Sequence, residues 1–175
     1  MGHAANQRRL LAAGMLLGIG MGGFIDGIVL HQLLQVHNML SATYPTTGVD
    51  PATAIANLEI NMFWDGLFHA FTWLATALGI ALLWNAVRSR EVPLSTRNLL
   101  GSMVAGWGVF NLVEGIINHH FLHIHHVIEG PNHLPWDIAF LISGAVMMVI
   151  GWAMIERKTA EEGRVSASGM PAQTR

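Results

Sequence analysis

Four apolar runs, at about residues 10–33, 62–87, 98–120 and 135–155, constrain this 175-residue chain more than any other feature. Each is near the ~20 residues that a helix needs to cross a bilayer. Inside hydrocarbon the backbone must satisfy its own hydrogen bonds, which a single segment achieves only as a helix. The expected fold is therefore all-α, an integral membrane four-helix bundle spanning 1–157. Composition agrees: 11% of residues are charged, against roughly 25% in a soluble domain. Beyond the fourth run, residues 158–175 are polar and rich in small side chains, which reads as a disordered tail. With no cysteine, disulfides, thiolate metal sites and thiol catalysis are excluded.

The positive charges orient the bundle. All nine Lys and Arg (Arg8, Arg9, Arg88, Arg90, Arg97, Arg157, Lys158, Arg164 and Arg175) fall before the first run, between the second and third, or after the fourth. The positive-inside rule then puts both termini and the 88–97 loop in the cytoplasm. The connections 34–61 and 121–134 face outward. Trp64 and Trp136 fit an outer aromatic belt, and Trp84 and Trp152 an inner one. Asp50-Pro51 reads as a cap and first turn, predicting a short helix over about 51–60 that lies at the interface above the bundle.

Into this frame the sequence sets polar residues at one depth. The first run carries Gly14, Gly18 and Gly22 at the spacing of a close helix–helix groove, then Asp26, His31 and, where it emerges, His37. The second opens with Asn61, Asp65 and His69 on one face. The third ends in Asn111, Glu114 and His119, with His120, His123, His125, His126 and His133 beyond it, and the fourth opens with Asp137. At 1.5 Å per residue, Asp26, His69 and Glu114 lie about 9–12 Å below the outer boundary, and His31, Asp65, His119 and Asp137 within about 6 Å of it. An ionised carboxylate at mid-span costs about 2.5–3.5 kcal/mol, less towards the edge. No Lys or Arg is in reach, so the counter-charge must be imidazolium, a proton or a bound cation.

A metal ion suits carboxylate and neutral imidazole together, and facing helices of bundles recurrently hold one or two. Asp26, His31, Asp65, His69, Glu114 and His119 are the expected inner ligands. His123, His126, His133 and Asp137 are outer ligands or groups that orient them. Copper, iron and zinc all fit this donor set. Plainer readings stand beside it. Asp65 and His69 make an ordinary interhelical pair, and the loop histidines His120, His125, His126 and His133 read equally as solvated. The acids and histidines could also carry protons. A bis-histidine haem is disfavoured by the nearby acids and the lack of C-x-x-C-H. An acid-Gly pair with histidine four or five residues on recurs at Asp26-Gly27, Asp65-Gly66 and Glu114-Gly115. It carries little weight as a duplication, because the second run travels in the opposite sense.

The segments GFIDGIVLHQLLQVHNM, WDGLFHAFTWL (64–74) and NLVEGIINHHFLHIHHV (111–127) together resemble a bacterial family of predicted four-span membrane proteins, a domain of unknown function. The resemblance covers about residues 10–157. It implies four spans and an inner-membrane location, and no established activity. Through relatives associated with oxidase-assembly genes it tilts the metal towards copper or oxygen chemistry. The expected partners are the lipid bilayer, respiratory or oxidase-assembly proteins and further copies of the chain, with no nucleic acid. The function expected first is a mono- or dinuclear metalloenzyme activating oxygen or water at the outer face. Next come a copper- or zinc-handling factor for respiratory complexes, and a proton-conducting, haem-binding or structural subunit.

Overall fold

The computed structural model describes residues 2–89 and 95–155. The tail expected to be disordered, 158–175, lies outside the described residues. Four helices long and apolar enough to cross a membrane make up the fold, and the described residues contain no strand. Helix α1 (Gly2–Phe24) runs without a break into π-helical turns over Ile25–Leu33. Helix α2 is Pro51–Arg88. Helix α3 (Thr96–Glu114) likewise continues as a π-helix, Gly115–Phe121, and α4 is Leu134–Met154.

Asp50 caps α2, accepting the backbone N–H groups of Ala52 and Thr53 at 3.1 and 3.2 Å. The short interfacial helix expected over 51–60 is not separate. Residues 51–88 form one 38-residue helix, about 57 Å long at 1.5 Å per residue. Nothing between Pro51 and Arg88 interrupts it, because this stretch has no internal proline and its one early glycine, Gly66, is free of crowding.

The centre of the bundle is the α1–α3 pair; α2 flanks α1, and α4 flanks α3. Missing side chains allow the central approach. A Cβ on Gly18 would lie 2.0 Å from the Met103 carbonyl oxygen, and one on Gly106 would lie 2.2 Å from that of Met15. The glycine groove read from the sequence is thus a true contact of two backbones. Outward, Phe63, Phe71, Trp73, Val149 and Trp152 are exposed, as befits a surface solvated by lipid.

The two halves repeat one another. Gly18, Gly20, Asp26, Gly27, His31 and His37 correspond at a constant offset to Gly106, Gly108, Glu114, Gly115, His119 and His125. Trp64-Asp65, Phe68 and Gly79 correspond likewise to Trp136-Asp137, Phe140 and Gly151. The backbone repeats too. Leu34 N–H bonds to Val29 O, and Leu122 N–H to Ile117 O. Gln35 and His123 then both take a left-handed φ, 51° and 49°. Of the three acid-Gly echoes, the first and third are therefore equivalent, whereas Asp65-Gly66 pairs with Asp137 instead. Spans one and two match three and four about a pseudo-twofold axis through the α1–α3 contact.

Candidate metal centre

The π turns explain why an acid and a histidine five residues apart can share a site. In an α-helix, positions i and i+5 point roughly 140° apart. The wider i→i+5 winding brings them onto the same side of the helix. His31 Nε2 consequently lies 3.4 Å from Asp26 Oδ2, and His119 Nε2 lies 3.1 Å from Glu114 Oε2. After each π turn the left-handed residue reverses the chain and returns a second histidine. His37 Nε2 is 3.8 Å from Asp26 Oδ1, and His125 Nε2 is 2.7 Å from Glu114 Oε1. The His37 and His125 rings stack face to face at the axis, 4.9 Å apart and 7° from parallel. All six residues are at most 5% exposed.

Each ring is oriented from behind. His31 Nδ1 sits 2.9 Å from Asp65 Oδ1, and His119 Nδ1 sits 3.3 Å from Asp137 Oδ1. The inner pair is cross-braced: His37 Nδ1–H donates to Val127 O, and His125 Nδ1–H donates to Met39 O, at 3.0 and 2.9 Å. These acceptors hold Nδ1 as the donor and turn Nε2 inward, the arrangement that surrounds histidine ligands of metals. Asp65 also accepts from the Asn38 side chain and Met39 N–H, both at 2.8 Å. Asp137 accepts from His126 at 2.8 Å, His133 at 3.0 Å and Val127 N–H at 3.0 Å. With their oxygens so committed, Asp65 and Asp137 position histidines from outside the cluster.

Electrostatics distinguish the two inner histidines. Burial, with His125 and His31 close by, pushes His37 down to about 3, so it is a neutral imidazole with a free lone pair. Burial also opposes charge on His125, but the hydrogen bond to Glu114, together with the negative charges of Glu114 and Asp26, outweighs it and raises that ring above its usual value. Residues 10–87 and 98–156 contain no Lys or Arg, so imidazoles alone face these acids.

Of the residues singled out in the sequence, Asp26, His31, Glu114 and His119 meet in the cluster. Asp65, Asp137 and His126 lie around it. His133 stacks on His126, 3.7 Å between ring centroids, and forms with His126 and Asp137 a smaller group that could itself hold a cation. His69 stands apart, its Nδ1 2.7 Å from the Asp65 carbonyl oxygen of its own helix and its Nε2 against Gly27. His123 is exposed. The sequence reading missed His37 and His125. The latter, read as solvated, is fully buried. Helical periodicity could not find them, because both follow a chain reversal; the repeat LQVHNM/LHIHHV could have.

Replacing Asp65 or Asp137 by Asn keeps shape but weakens the hold on His31 or His119. Each variant is expected to lose about 10–100-fold in metal affinity with the fold intact, as measured by competition with a chelator. Unchanged affinity in both would mean that these carboxylates do not orient the centre.

Fold and cluster together define the protein's class: a four-span membrane protein with buried histidine–carboxylate groups that could hold a metal ion. The chain belongs to the family described as "Predicted membrane protein (DUF2243)", which matches residues 13–158. No curated protein and no solved structure matches it.

Proposed function

We propose that this protein is a membrane metalloenzyme with a dinuclear centre that activates oxygen or water. One half-site is Asp26, His31 and His37, and the other is Glu114, His119 and His125. One observation carries the reading. Among the described residues, the buried side-chain polar atoms that make no well-aligned hydrogen bond, although each has an acid or imidazole 3.1–3.8 Å away, are His31 Nε2, His37 Nε2, Glu114 Oε2, His119 Nδ1 and His119 Nε2. All belong to this cluster. Buried polar atoms are nearly always paired, and several left without well-aligned bonds in one spot leave a place for an ion or an ordered water. Imidazole and carboxylate without thiolate suit iron, copper, zinc or manganese. A bound pair of such ions supplies Lewis acidity and, for iron, copper or manganese, redox chemistry.

The chain's own residues do the rest. Asp65 and Asp137 fix the ring orientations, and the neutral His37 offers Nε2 without first losing a proton. A polar cleft of about 460 Å³ between the two connections reaches His37 from the water-facing end, a path for ions and small solutes. The Lys and Arg distribution supports cytoplasmic termini, which puts this end on the periplasmic side of a bacterial inner membrane.

Detergent-purified protein is expected to retain about two transition-metal ions per chain through dialysis. A preparation that stays metal-free after reconstitution with iron, copper, zinc and manganese in turn would rule the centre out. A second reading, a carrier passing copper or zinc to a respiratory complex, draws on the His126–His133–Asp137 group beside the cleft. It predicts metal lost rapidly to a chelator, whereas a resident centre holds it.

A further inference from the structure

The pseudo-twofold repeat supplies an internal comparison: whatever differs between the two wings is not needed to build the frame. One difference near the centre lies in the gap between α2 and α3, floored by α1. There a groove of about 380 Å³ opens on the lipid-facing surface and runs inward to Glu114 and Asn118, within the usual size range of small-molecule pockets. The matching positions on the other wing are changed. Trp107 replaces Ile19 and lies against Gly22, where an added Cβ would come within 2.7 Å of its ring. Leu30 replaces Asn118, and Ser143 replaces Phe71.

We propose that this groove binds a lipid-soluble aromatic molecule bearing a ring hydroxyl, the chemical class of the quinols, drawn laterally from the bilayer. The inference deepens the metalloenzyme reading and rests on it for the role of Glu114. Three features select this occupant. The walls are almost wholly apolar and include Trp64, Phe68, Phe71 and Phe110, a lining that favours a planar ring over a bare acyl chain. The inner end reaches Glu114, whose Oε2 lies 3.1 Å from His119 Nε2 and whose Oε1 lies 2.7 Å from His125 Nε2. Beside it the Asn118 amide reaches Glu114 Oε1 at 3.4 Å. A hydroxyl can donate to the Asn118 amide oxygen and accept from its N–H, beside the Glu114 carboxylate. A fatty acid or phospholipid would bring a second anion to Glu114 with no Lys or Arg to neutralise it, which a low-dielectric site penalises heavily.

The experiment uses the full chain in lipid nanodiscs, titrated with decyl-benzoquinol. Val113 and Ile25 are equivalent in the repeat, and both are about half-exposed, so a tryptophan at either is compatible with folding. Val113→Trp fills the groove and is expected to weaken binding at least about tenfold, and Ile25→Trp less than about twofold. Asn118→Leu, which copies the other wing, is expected to weaken it about tenfold through the lost hydrogen bond. The proposal is overturned if both tryptophan variants bind alike, or if dodecanol competes as well as the ringed probe. Metal analysis of the same samples separates the two readings. Retained metal without probe binding sinks the quinol site alone, whereas wild type that cannot be loaded with metal sinks the centre.

Discussion

The His125→Ala protein is expected to purify with less than about a tenth of the wild-type metal, while His69→Ala keeps its full complement. The contrast is large because the two histidines occupy opposite positions in the site's logic. His125 belongs both to the group with His31 and His37 and to the group with Glu114 and His119. Its ring stacks on His37 at the axis, and its Nδ1 bond to Met39 O ties the second connection to the first. Removing it takes a donor from both of these groups and leaves Glu114 without its shortest contact. His69 donates or accepts only within α2 and touches Gly27 from outside. Elemental analysis checks both proteins, with elution volume in detergent to establish that each is folded. Equal metal in the two would mean that the axis histidines are not ligands.

Much of the frame was legible in the sequence because bilayer physics leaves few choices. Apolar runs near ~20 residues must be helices, and Gly14, Gly18 and Gly22 announced the face on which α1 meets a partner. The layer of acids and imidazoles was legible for the same reason, since buried charge without Lys or Arg needs an explanation. What the sequence hid was role and register. Whether a carboxylate such as Asp65 coordinates an ion or orients a histidine depends on where its oxygens point, and two of the groups committed to it, the Asn38 side chain and the Met39 N–H, come from a connection with no periodic pattern. The π turns were hidden too. Ile25–Leu33 reads as ordinary apolar helix, and only the five-residue gap from Asp26 to His31 hints at the altered winding. The repeat was within reach. Asp26-Gly27 and Glu114-Gly115 lie on helices that run in the same sense, and only Asp65-Gly66, on a helix running the other way, obscures the match of one helical pair with the other.

Gly106→Leu should be among the most damaging single changes outside the cluster. Even the Cβ meets the Met15 carbonyl oxygen at 2.2 Å, and backbone cannot swing aside as a side-chain tip can. The helices must part, and the cost of such overpacking is about 1–3 kcal/mol, occasionally more. A loss near 3 kcal/mol corresponds to a fall of roughly 6–12 °C in Tm for a chain of this size. Since α1 and α3 carry Asp26–His31 and Glu114–His119 on their π extensions, the same separation spreads the two half-sites. Metal loss should therefore accompany destabilisation. Gly18→Leu provides the test of the twofold relation, because Gly18 faces the Met103 carbonyl at 2.0 Å across the same contact and should fail to a similar degree. Gly66→Ala is the control. Nothing lies within 4 Å of its added Cβ, and the change is expected to be neutral or to stabilise α2 by about 0.5–1 kcal/mol. Thermal melts of the three variants in one detergent decide it. If Gly106→Leu melts with the wild type, the α1–α3 backbone contact is not what holds the two halves of the centre together.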